Sequence, residues 1–234
     1  MKIGILQTGK VPGELGAEHG DYPDMFGRWL ADPTFTFETY PVVDNVFPDG
    51  PDQCDAWLIT GSKHGVYEPH DWIPPLEVLI RQACAASTPM IGVCFGHQIM
   101  AQALGGSVEK FSGGWSVGVE DYAIDNIGHG VRINAWHQDQ VVTPPKSATV
   151  VASSPTCRYA ALSYGDWGFS IQPHPEFTAD FMAGLLEARG DVLPEAIARK
   201  AAVSMDRPTS VDQVATFVKS FLKRAFIVNA GQVE

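Results

Sequence analysis

One heptapeptide constrains this chain more than any other stretch: Gly92-Val93-Cys94-Phe95-Gly96-His97-Gln98. It follows the apolar run Met90-Ile91-Gly92-Val93, which reads as a short buried strand, and precedes Ile99-Met100-Ala101-Gln102-Ala103-Leu104, which reads as a helix. A cysteine at a strand-to-helix turn, with a glycine two residues away on each side, is a nucleophile elbow carrying sulfur in place of oxygen. The turn is too sharp to leave room for Cβ atoms beside the nucleophile. A strained backbone at Cys94 would project the side chain into the open. The helix that begins here turns its free N–H groups and its dipole toward the sulfur, which favours a thiolate.

A thiol needs a base or an electropositive site to become a nucleophile near neutral pH. The candidate stands 80 residues after Cys94, in Phe169-Ser170-Ile171-Gln172-Pro173-His174-Pro175-Glu176-Phe177. An apolar strand ends there, and the prolines on either side of His174 stop it from continuing. His174 held at a strand end can act as general base, with Glu176 two residues on to orient it. The three residues form a Cys94-His174-Glu176 triad expectation.

The rest of the chain alternates in type. Lys2–Gln7, Phe35–Val42 and Ala56–Thr60 read as strands. Tyr22–Leu30 and Pro75–Ala86 read as helices, the second opened by Pro74-Pro75. This order predicts a parallel sheet covered on both faces, with the site at the carboxyl ends of its strands. From Ser107 to Ile171 the pattern changes to short strands between Gly and Pro turns: Val117–Ile124, Val131–Ala135, Thr149–Ala152, Tyr159–Ser163 and Trp167–Ile171. They predict an antiparallel extension or edge. Thr178–Arg189, Pro194–Val203 and Ser210–Phe226 carry apolar residues at helical spacing, with Asp180 and Ser210 as expected caps. The fold expectation is a three-layer α/β sandwich: a mostly parallel central sheet, helices on both faces and an antiparallel extension. It is read as a single domain over 1–234, with a C-terminal helical extension from about 190.

The elbow pattern G-x-C-x-G-x-Q and the later His-Pro-Glu resemble the triad-type, class I glutamine amidotransferase family, in the family's order and spacing. The resemblance covers about residues 1–190 and extends to three further segments. Leu58-Ile59-Thr60-Gly61-Ser62 matches the family's strand and oxyanion turn. Gly113-Gly114-Trp115-Ser116-Val117-Gly118 matches its substrate-binding segment, and Trp136-His137-Gln138-Asp139 is similar to its His-x-Asp turn. The resemblance implies a flavodoxin-like fold and hydrolysis or transfer of a γ-glutamyl amide through a γ-glutamyl thioester on Cys94. It implies an oxyanion hole from the Phe95 and Gly61 N–H groups. It also implies contacts to the glutamyl group from Gln98 and Ser62, and to its α-carboxylate end from the backbone of Trp115, Ser116 and Val117.

Two departures qualify the resemblance. The oxyanion turn, Thr60-Gly61-Ser62-Lys63-His64-Gly65, lacks the proline common in the family, and Pro173 replaces the aromatic residue usual in synthase-linked members. The residues after the His-Pro-Glu segment carry no ATP-binding signature, and no synthase domain is expected on this chain. The segments look like stand-alone members, resembling GMP synthase-like amidotransferase proteins and γ-glutamyl peptidases. A glutaminase subunit that supplies ammonia to a separate synthase, and a catalytically silent regulatory protein on the same fold, remain the alternatives.

Composition narrows the partners. With 16 Lys+Arg against 27 Asp+Glu the net charge is −11, which argues against nonspecific nucleic-acid binding and against an anionic membrane surface. The expected partner is a small molecule, glutamine or a γ-glutamyl compound. Apolar runs are strand-sized, and the N-terminus reads as a first strand with no secretory signal. A reducing, cytoplasmic location would keep Cys94 reduced. Cys54, Cys84 and Cys157 have no disulfide or metal spacing and read as structural. His97 reads as a packed helix-face residue, and His137 and Asp139 as structural. No ligand spacing links His64, His70 and Asp71 to Cys or carboxylate partners, so neither a metal nor a cofactor is expected.

Overall fold

Runs such as Ala-Trp-Leu-Ile and Met-Ile-Gly-Val have no polar face, so a strand made from them must be covered on both sides. The computed structural model, which describes residues 1–230, provides that cover. The chain runs through β1 (Lys2–Leu6), α1 (Gly13–His19), α2 (Tyr22–Trp29), β2 (Thr36–Tyr40), β3 (Ala56–Ile59), α3 (Ile73–Ala85), β4 (Met90–Val93) and α4 (Phe95–Ala103). It continues through β5 (Ser107–Lys110), β6 (Ser116–Ile124), β7 (Gly128–His137), β8 (Asp139–Thr143), β9 (Thr149–Ser153), β10 (Ala161–Tyr164) and β11 (Gly168–Ile171). It closes with α5 (Ala179–Arg189), α6 (Glu195–Ser204) and α7 (Val211–Ala230).

Nine strands form one sheet in the order β2-β1-β3-β4-β11-β10-β9-β6-β7. The first five are mutually parallel. From β11 onward each neighbour is antiparallel. Strand side chains alternate between faces. Ile3, Ile5, Leu58, Ile91, Val93 and Phe169 therefore pack with Phe26, Phe181, Val218 and Leu222 on one side. Leu6, Trp57, Ile59 and Met90 pack with Leu76 and Ile80 of α3 and Ile99 and Met100 of α4 on the other. The three-layer α/β expectation holds. Residues 190–230 add Ala201, Val214, Val218 and Leu222 to the first of these cores. Among the described residues no helix is long and apolar enough to cross a membrane.

Several local readings differ. The sequence pattern places the run at 167–171 in the antiparallel extension, yet β11 pairs parallel with β4 and only its other edge is antiparallel. Helix α1 and the β5–β8 ribbon were not foreseen: α1 buries only Leu15, and β5 and β8 carry mixed polar sequences with weak periodicity. At α5 the cap is Thr178, whose side chain accepts the Phe181 N–H, and Asp180 lies inside the first turn. Ser210 stands at the start of α7, its carbonyl accepting from the Gln213 and Val214 N–H groups; its hydroxyl oxygen accepts the Arg132 N–H and its own N–H donates to the Arg132 carbonyl, docking the helix start onto β7.

The strand order positions the site. Strand β4 lies between β3 and β11, all three parallel, so the segments leaving their carboxyl ends emerge side by side. Those segments carry Gly61, Cys94 and His174, each within three residues of its strand's end.

Candidate active site

Cys94 ends β4 with φ 53° and ψ −103°, a conformation that L-residues rarely adopt. Such backbone strain costs on the order of 1–3 kcal/mol and persists only where the surroundings enforce it. The Cys94 N–H donates to the Ile171 carbonyl at 2.9 Å, which holds one side of the turn. The flanking glycines hold the rest. A Cβ on Gly92 would lie 2.5 Å from the Gly96 carbonyl oxygen, and one on Gly96 would lie 2.4 Å from that of Ile59. Both collisions are with backbone, which cannot swing aside. Gly96→Ala is accordingly expected to destabilise the fold by at least about 1–3 kcal/mol, read as a lowered urea midpoint. An unchanged midpoint would mean that the elbow is looser than drawn.

His174 Nδ1 lies 2.7 Å from Glu176 Oε1. With a carboxylate accepting at Nδ1, the ring N–H sits there and Nε2 is the nitrogen left for a second partner. All three residues are buried. Two neighbours fix the imidazole. Phe177 stacks on it with centroids 4.0 Å apart and planes 6° apart. Asn134 of β7 takes the His174 N–H on its carbonyl at 2.7 Å and donates from Nδ2 to the Phe177 carbonyl at 2.9 Å. Phe177 and Asn134 were missed in the sequence. Phe177 sits beside His-Pro-Glu and could have been marked, but Asn134 reaches its partners only through the fold.

Gly61 sits against the His174 ring: a Cβ there would lie 2.9 Å from His174 Cε1 and 3.7 Å from Cys94 Cβ. Its turn is knitted to the loop after β1. The Thr8 N–H donates to Thr60 Oγ1 at 3.0 Å, and Ser62 Oγ donates to the Thr8 carbonyl at 2.7 Å. Phe95 is the first residue of α4, so its N–H has no partner within the helix. Gln98 and Trp115 line the cavity that contains Cys94 and His174, as does Ser62. Gln98 Nε2 is engaged by the Asp139 carbonyl at 2.8 Å and by Gln172 Oε1 at 3.2 Å, and the Ser62 hydroxyl by the turn itself. Ser116 and Val117 are buried in the ladder opposite His137 and Trp136, and their side chains are not among those that line the cavity.

The remaining histidines divide. His97 is fully buried with Nδ1 2.7 Å from Ser170 Oγ, and burial pushes its pKa down to about 3. His137 does line the cavity. Burial, then the charge of His174, pushes it down to about 3 as well. His174 moves the other way. Burial opposes its imidazolium, but the Cys94 and Glu176 charges outweigh that and push it up to about 10. His64 and His70, set aside above for want of a ligand partner, meet at Glu68 in the structure: all three offer ligand atoms within 4.8 Å of one another, whereas Asp71 is not part of the group. Burial and the charge of His70 hold His64 below its ordinary value.

These shifts set the pH dependence of stability. An unfolded histidine titrates near 6.5. The stability tied to neutral His97 and His137 is present above pH 6.5 and is lost as pH falls toward 3. That tied to charged His174 is present below 6.5 and is lost as pH rises toward 10. Thermal melts should therefore show a maximum near pH 6.5 from these groups. In Cys94→Ala, which removes one of the charges that raise His174, the alkaline fall should begin at lower pH. Identical alkaline limbs in the two proteins would contradict a Cys94–His174 coupling.

The cavity holds about 260 Å³ and opens to solvent past Lys10, Lys63, Lys110, Arg189, Trp115 and Trp136. Four cations face two carboxylates there, Glu68 and Asp139, on a chain whose net charge is −11.

Comparison with known proteins agrees with this geometry. The sequence model described as "Glutamine amidotransferase class-I" matches residues 47–184. Gamma-glutamyl peptidase 3 of Arabidopsis thaliana is 29% identical over 184 residues, 72% of this chain and 74% of that protein. Gamma-glutamyl peptidase 4 of the same plant is 27% identical over 223 residues, 88% of this chain and 89% of that protein. The crystal structure of a glutamine amidotransferase from Thermotoga maritima superposes with a TM-score of 0.75 at 20% identity, over 97% of this chain and 98% of that one. The fold is shared with that structure, and the chain belongs to the class I glutamine amidotransferase family.

Proposed function

We propose that this protein hydrolyses a γ-glutamyl amide through a γ-glutamyl thioester on Cys94. The observation that carries the reading is the strained Cys94, presented beside an imidazole whose Nδ1 is held at 2.7 Å by a buried carboxylate, at the floor of one cavity. Cys94 Sγ, its proton already held by the His174 imidazolium, adds as a thiolate to the γ-carbonyl. Negative charge develops on the carbonyl oxygen. The N–H of Phe95 and one from the Gly61 turn stabilise it, each such donor contributing roughly 2.7–4 kcal/mol. The C–N bond breaks as His174 gives its proton to the departing amine. Water, deprotonated by the same imidazole, then adds to the thioester and releases glutamate and the thiol. Glu176 keeps the ring in the productive tautomer throughout.

Among γ-glutamyl compounds, the cationic mouth favours a peptide. Lys10, Lys63, Lys110 and Arg189 suit a substrate that carries a further carboxylate beyond the scissile bond, which glutamine lacks. The names of the Arabidopsis relatives, gamma-glutamyl peptidases, point the same way.

The test is to incubate the purified chain with glutamine and with a panel of γ-glutamyl peptides, with and without cell extract, and to follow products by mass. Cleavage of peptides by the chain alone is the expected result. Activity appearing only with extract, on glutamine, and co-purifying with a second subunit would assign the protein to ammonia supply for a synthase.

A further inference from the structure

One cluster of metal-ligating side chains lies outside the Cys94-His174-Glu176 group, on the loop between β3 and α3. His64 Nδ1 is 3.3 Å, and His70 Nε2 2.8 Å, from the same oxygen, Glu68 Oε2. The imidazole centroids are 4.2 Å apart. Supports behind the loop hold it in place. His70 stacks on Trp72, whose ring lies 5.4 Å from that of Phe95. Gln102 Nε2 donates to the Val66 carbonyl at 2.8 Å, and the Tyr67 hydroxyl to Asp139 Oδ2 at 2.9 Å.

We propose that His64, Glu68 and His70 form a binding site for a divalent transition metal of the zinc class, with its fourth position open at the rim of the cavity. Zinc bonds of about 2.0–2.2 Å in a tetrahedron place neighbouring ligand atoms about 3.3–3.5 Å apart. Separations of 2.8 and 3.3 Å approach that edge length, so an ion needs only a small spreading of the trio. Two imidazoles and one carboxylate are the donor set of open zinc sites, whereas magnesium and calcium select oxygen ligands. The side chains of His64, His70 and Glu68 are 22%, 33% and 41% exposed, so an ion can enter without unfolding. His64 and Glu68 both line the cavity, which puts the open position within reach of its contents. The His64 N–H donates to Ser62 Oγ at 3.2 Å, so the ion would also tie down the turn beside Cys94.

The test uses the full chain as Cys94→Ser, so that the sulfur cannot compete for the ion. Zn²⁺ is titrated calorimetrically, and Co²⁺ is followed by absorption. One equivalent should bind, with tetrahedral cobalt bands and no thiolate charge-transfer band. His64→Ala, His70→Ala and Glu68→Gln, made in the same background and checked for folding by circular dichroism, should each weaken binding, the two histidine changes by at least about 100-fold. Failure of the folded Cys94→Ser protein to bind Zn²⁺, or binding that survives both histidine changes, would reduce the trio to a hydrogen-bonded His–Glu–His cluster. Because the readout is binding, this result is independent of whether the chain cleaves γ-glutamyl amides.

Discussion

Cys94→Ala should abolish γ-glutamyl turnover, by on the order of 10⁶-fold as for loss of a nucleophile from a triad, in a protein that still folds. The reason is chemical: in the proposed mechanism the acyl bond forms on the Cys94 sulfur, which alanine lacks. Alkylation supplies the matching map. Burial pushes Cys157 up to about 12 and also raises Cys54 and Cys84 above the ordinary thiol value, so these three resist at neutral pH. Iodoacetamide should label Cys94 first, and equal labelling of all four would argue against an activated sulfur. A second variant reads the backbone. Glycine ordinarily costs about 1 kcal/mol relative to alanine, but at φ 53° it relieves strain. Cys94→Gly should be inactive yet at least as stable as Cys94→Ala. If it melts well below, the elbow is not strained as described.

Loss of the base should cost nearly as much. His174→Ala leaves Cys94 without a proton acceptor and the departing amine without a donor, and members of a triad fail as a unit. Its kcat/KM should fall by a factor approaching that of Cys94→Ala. Glu176→Gln should fall less, because the amide can still meet Nδ1 but cannot stabilise the imidazolium. The charge of Glu176 helps hold His174 charged, so this variant should also shift the pH–rate profile to lower pH. A mild His174→Ala paired with a lethal His137→Ala would overturn the assignment of the base. His137 lies in the same cavity, but burial holds it near pKa 3, too weak a base for the task at neutral pH.

Much of this is legible in the sequence alone. The strand–elbow–helix around Cys94 is local: a few residues of apolar run, two glycines and a helix start specify it, and the steric reason for each glycine is readable from its position. The strand ending at His174 is likewise local, because prolines on either side leave it no continuation. Misreadings occurred where local signals are weak or where geometry is global. Helix α1 buries a single apolar side chain, so its sequence shows no periodicity to read. Ser116 and Val117 sit in a segment that resembles a substrate-binding one, yet both side chains are buried in the β6–β7 ladder while Trp115 beside them lines the cavity, a division that strand pairing decides and local sequence does not.

The sequence by itself determined the layer architecture and the elbow that presents Cys94, because hydrophobic period and turn sterics act over short distances. Only the tertiary structure decided what surrounds them. Parallel pairing of β3, β4 and β11 draws Gly61, Cys94 and His174 together from across the chain. An antiparallel bridge to β7 brings Asn134 under the His174 loop, and the path of the loop after β3 folds His64 and His70 onto one oxygen of Glu68. The first contact depends on strand order and the second on loop path, and the residue pattern alone encodes neither.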